Sequence, residues 1–114
     1  MFFKNKTKNL EKIIEPYSSW NNDGNNLQAK QALEILLVEL KKIKPSMHYI
    51  RRDEYFGYVG FLLKAKQAFE EKLYQRTCNE LQSLLHYYCT VKEKTCIAPE
   101  IKVSLIDLLE KYLS

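Results

Sequence analysis

Apolar residues recur along this chain at three- and four-residue intervals, the spacing of amphipathic helices, and the alternation of a half-buried strand is nowhere sustained. From Leu27 to Lys44 one stripe runs through Ala29, Ala32, Leu33, Leu36, Leu37, Leu40 and Ile43. Asn26 stands where an N-cap belongs, and Pro45 stops the helix. A second pattern spans about Asp53 to Tyr74 through Tyr55, Phe56, Val59, Leu62, Leu63, Phe69 and Leu73, with Asp53 as its expected cap. Gly57 and Gly60 fall inside it. Each costs up to about 1 kcal/mol against Ala, so their spacing predicts another helix crossing closely on that face.

Thr77 and Glu80 have the spacing of a capping box ahead of Leu81, Leu84, Leu85, Tyr88 and Cys89, which predicts a third helix over roughly 78–90. The last pattern opens with Pro99 and Glu100, both suited to a helix start, and continues through Ile101, Leu105, Leu108, Leu109, Tyr112 and Leu113. Before these four, Leu10, Ile13, Ile14 and Tyr17 mark a short helix ended by Pro16. Residues 18–26 are turn formers, with Asp23-Gly24 supplying a left-handed position, and read as a mobile loop. The expected fold is all-α: an antiparallel four-helix bundle over residues 27–114, preceded by a short N-terminal helical arm and loop over 1–26.

Composition narrows this further. A chain of 114 residues suffices for one core, and 46% hydrophobic with 28% charged residues is a folding composition. Three Gly and three Pro are too few to turn the many strands of a sandwich or barrel. No apolar run reaches bilayer-spanning length, and Met1 to Lys12 has no secretion-signal core, so a cytoplasmic location is expected. Reduced thiols are the default for Cys78, Cys89 and Cys96. Cys78 and Cys89 lie about 16 Å apart along a helix and cannot bond, whereas Cys89 and Cys96 straddle a turn and can bridge if oxidised.

Catalytic signatures are sparse. There is no C-x-x-C or H-E-x-x-H, and His48 and His86 are the only imidazoles, so no metal site is expected. The three glycines fit neither a Walker loop nor a dinucleotide fingerprint, and no G-x-S-x-G occurs, so neither catalytic nor cofactor-binding residues are assigned. His86 stands three positions before Cys89, but Cys89 is on the apolar stripe, where an inert buried thiol is the commoner outcome. A formal charge of +4 and a pI near 8.9 give a mild bias toward anionic partners. The cluster Lys41, Lys42, Lys44, Arg51 and Arg52 reads first as solvated helix ends. No helix-turn-helix signature accompanies it, and nucleic acid is not an expected partner.

The order of the segments resembles the cytosolic immunity proteins that accompany pediocin-like (class IIa) bacteriocins. The residues that carry the resemblance are Gln-Ala-Leu-Glu-Ile-Leu-Leu-Val-Glu-Leu (31–40), Tyr-Phe-Gly-Tyr-Val-Gly-Phe-Leu-Leu-Lys-Ala-Lys (55–66), Asn-Glu-Leu-Gln-Ser-Leu-Leu-His-Tyr-Tyr (79–88) and Ile-Ala-Pro-Glu-Ile (97–101). They cover about residues 28–113 and leave out the N-terminal arm with Trp20. The resemblance implies a non-enzymatic antiparallel four-helix bundle that protects a producer cell from its own pore-forming peptide. Such proteins act from inside the cell on the complex of the bacteriocin with its membrane receptor, the mannose permease.

A basic chain of this kind can approach the anionic inner membrane peripherally, at about 1 kcal/mol per nearby cation. By region, the resemblance points to the exposed faces near Lys92, Lys94, Lys102 and Lys111 as the partner-binding surface. A second class stays open: a small helical inhibitor that binds a cognate toxin domain, such as a nuclease, directly. A net positive charge suits an inhibitor of a basic toxin poorly, although Glu70 and Glu71 offer a local acidic patch.

Overall fold

The computed structural model describes residues 6–45, 49–90 and 97–113. Their regular structure is helical: α1 (Lys6–Ile14), α2 (Asn26–Lys42), α3 (Arg52–Glu70), α4 (Tyr74–Leu85) and α5 (Pro99–Leu113). A 3-10 turn over Glu15–Tyr17 follows α1, and a π-helical turn over His86–Thr90 extends α4. Among the described residues the only strand-like contact is a single bridge between Pro45 and Ile97. The protein is all-α, as the periodicity requires.

The stripes meet in one core. Leu33, Leu36 and Leu40 of α2, Leu81, Leu84 and Leu85 of α4, and Ile101, Leu105 and Leu109 of α5 are fully buried together, and α1 adds Leu10 and Ile14. Each such side chain is worth about 1.5–3 kcal/mol against exposure. By contrast α3 buries Tyr58, Ala65, Ala68 and Phe69, while Leu62 is half-buried and Leu63 exposed. Much of its apolar surface therefore faces outward.

α5 is tied in at its start. Glu100 accepts the Ile50 backbone N–H with Oε1 and the Tyr58 hydroxyl with its carbonyl. The Lys102 ammonium donates to the Ile43 carbonyl at the end of α2. Near the far end, the rings of Phe69 and Tyr112 stack at 5.2 Å. α3 and α5 thus lie side by side in the same direction.

Several local expectations are corrected. Residues 18–26 are pinned against the start of α4. Asn26 Oδ1 accepts the Tyr74 N–H at 2.7 Å, and its Nδ2 donates to the Lys72 carbonyl at 2.9 Å. The buried Gln75 side chain donates to Asp23 Oδ1 at 2.8 Å and accepts the Asn25 N–H at 3.0 Å. The α4 N-terminus is thereby satisfied by residues some fifty positions earlier, with no capping box at Thr77. Thr77 lies inside α4, and its hydroxyl donates back to the Leu73 carbonyl. Asn25, not Asn26, occupies the N-cap position of α2, and Arg51, not Asp53, that of α3, where Glu54 accepts the Arg51 N–H.

The two glycines of α3 differ. A Cβ on Gly57 would overlap the Tyr88 hydroxyl, whereas one on Gly60 would meet nothing within 4 Å. The close approach expected of both occurs only at Gly57, and a π-turn side chain makes it.

Candidate partner-binding surface

An open groove of about 360 Å³ runs between α3 and α5. Leu62 and Leu63 form one wall, Leu108 and Tyr112 the other, with Lys66, Asp107 and Lys111 at the rim. Its origin is local. Adjacent Leu62 and Leu63 widen the apolar face of α3 beyond what one buried stripe uses, and the small Ala65 and Ala68 already fill the core-facing positions. Tyr112 is held by its stack on Phe69, and the Lys111 ammonium lies 5.4 Å over the Tyr112 ring. An apolar trough edged by two lysines and one aspartate can receive the apolar face of an amphipathic helix whose acidic residues meet Lys66 and Lys111.

The four lysines expected at a partner surface fare differently. Lys111 is exposed at this groove. Lys102 is half-buried, with its ammonium committed to the Ile43 carbonyl, so it ties α5 to α2. Lys92 and Lys94 lie outside the described residues, as do Cys96, His48, and the side chain of Cys89. Sequence reasoning missed Leu62, Leu63 and Leu108 as lining residues. The signal available was the Leu62-Leu63 pair, since adjacent helical residues point about 100° apart and a narrow buried face leaves one of them at its edge.

Other chemistry is scattered. His86 Nδ1 lies 3.3 Å from Oε1 of the buried Glu11, joining α1 to the end of α4 beside a polar hollow lined by Gln82, Ser83 and Tyr87. Cys78 is buried, its Sγ 3.7 Å from the Ala29 carbonyl, and desolvation pushes its thiol pKa up to about 12. Among the described residues no three His, Cys, Asp or Glu side chains gather as metal ligands.

Aromatic rings extend from Phe56 through Tyr55, Tyr58, Tyr88 and Phe61 to Tyr87, with successive centroids 5.9–6.4 Å apart. The inner rings pack α3 against the π turn and the outer ones stay exposed. No described helix is long and apolar enough to cross a membrane. Compared with known protein families, with curated proteins and with solved structures, the chain matches none.

Proposed function

We propose that this is a non-catalytic immunity protein of the bacteriocin type. In this reading it is cytoplasmic, and α2 to α5 form an antiparallel four-helix bundle in which each helix reverses the one before. It acts by binding the complex of a pore-forming peptide with its membrane receptor, a mannose permease, and approaches the membrane only peripherally. The observation that carries the reading is the groove between α3 and α5, an open apolar trough with Lys66 and Lys111 at its rim. Its shape and charge suit a helical peptide or receptor segment bearing acidic residues. The helix order resembling that of the class IIa immunity proteins supplies the identity of the partner.

The test is expression in a cell sensitive to a class IIa peptide, followed by pull-down from solubilised membranes with and without that peptide. Survival, with the permease recovered only when peptide is present, is the expected result. Recovery of a soluble toxin enzyme in place of the permease would replace this reading with direct toxin inhibition.

A further inference from the structure

Among the described residues no element covers the outward face of α3. Phe56, Gly60 and Leu63 lie within an arc of about 60° at 3.6 residues per turn. Phe56 is 83% and Leu63 60% exposed, and the space beside Gly60 is open. The exposed Gln67 closes the same arc one turn beyond Leu63, and two apolar side chains astride a glycine make a surface on which a second helix can seat closely.

The charges along this helix say which helix. Arg52 stands eight residues before Gly60 and Glu70 ten after it, on the same flank of the stripe. Along the axis these are about 12 and 15 Å from Gly60. Both are exposed, and neither has an ion-pair partner among the described residues. On the opposite flank Asp53 and Lys64 lie seven residues before and four after Gly60.

We propose that two copies of this chain associate through α3, antiparallel about a two-fold axis at Gly60, with Arg52 of each copy paired to Glu70 of the other. An isologous contact places each residue opposite one at equal distance beyond the axis. Phe56 then packs on Leu63 of the second copy, Gly60 on Gly60, and Asp53 comes within reach of Lys64. A parallel arrangement would leave Arg52 and Glu70 at opposite ends of the contact, so pairing these two charges requires the antiparallel one. The inference is independent of the partner reading, although Leu63 stands at the edge of both surfaces.

Sedimentation equilibrium of the full chain from about 1 to about 300 µM tests it, a range that spans weak to moderate association. Concentration-dependent dimerisation is expected. Arg52→Glu and Glu70→Arg should each weaken it at least about tenfold, and the double reversal should restore it to within about threefold. Gly60→Arg should abolish it while helical circular dichroism is retained, because its side chain enters open space in the single chain. A monomer across the whole range overturns the proposal. So does a dimer indifferent to these substitutions, or one that the double reversal fails to restore.

Discussion

Asn26, the first residue of α2, caps α4: its Oδ1 accepts the Tyr74 N–H at 2.7 Å while its Nδ2 holds the Lys72 carbonyl. One side chain thus satisfies a donor at the start of one helix and an acceptor in the turn leaving another. Asn26→Ala removes both bonds and is expected to destabilise the protein by about 1–2 kcal/mol in urea unfolding. Asn26→Asp keeps the acceptor for Tyr74 but loses the donor to Lys72, so its loss should be smaller. Equal losses would mean that the Tyr74 bond contributes nothing.

That cap shows what was and was not legible in the chain. The stripe of α2 is buried except for Leu37, that of α4 buries Leu81, Leu84 and Leu85, and that of α5 buries Ile101, Leu105 and Leu109, because a 3.6-residue period records burial within a single helix. Helix ends were harder to read. Thr77 and Glu80 had capping-box spacing, yet the donors of α4 went to Asn26, whose proximity to Tyr74 depends on how α2 and α4 pack. The groove was only half visible for the same reason. Lys111 is read from its place in the last helix, but a trough exists only once α3 and α5 lie side by side, and no local pattern encodes that.

Lys72 turns the chain from α3 into α4 with φ +58°. Its N–H bonds the Phe69 carbonyl and that of Leu73 the Ala68 carbonyl, the paired bonds of a left-handed helix stop. Such a position favours glycine, and the Lys72 contribution to the network is its backbone carbonyl, which a glycine keeps. Lys72→Gly is therefore expected to raise stability by about 0.5–1 kcal/mol, read as a higher urea midpoint at unchanged slope.

Gly57 and Gly60 make a matched pair. At Gly60 an alanine meets open space and should stabilise α3 by about 0.5–1 kcal/mol, measured at low micromolar concentration. At Gly57 the same methyl group strikes the Tyr88 hydroxyl and displaces the ring that lies between those of Tyr58 and Phe61. Gly57→Ala should then be the less stable variant by at least about 1 kcal/mol. In a Tyr88→Phe background, which removes the colliding oxygen, the gap should narrow.

The buried Cys78 thiol makes stability fall as alkali rises. Its folded pKa of about 12 lies above the ordinary value of 9.0, so between them the unfolded chain sheds a proton that the folded chain keeps. Unfolding is favoured as pH climbs through this window, by at most about 1.4 kcal/mol per pH unit. Cys78→Ala lowers stability at neutral pH through the space it leaves, but its stability should fall less steeply above pH 9. Parallel curves for the two proteins would show that burial does not raise the pKa of the folded thiol.

The groove and the exposed face of α3 can be separated by substitution, because Leu108 lines the groove from α5 whereas Phe56 stands on α3 away from it. Leu108 is half-buried, so Leu108→Asp places a carboxylate where part of the side chain already meets water. It should lower stability by no more than about 1 kcal/mol. Combined with Lys111→Glu it reverses the charge of the trough that an acidic-flanked helix would enter, and it should abolish protection of a sensitive cell while leaving self-association intact. Phe56→Asp should do the reverse. A double variant at Leu108 and Lys111 that still protects would remove the groove from the function, whatever becomes of the dimer.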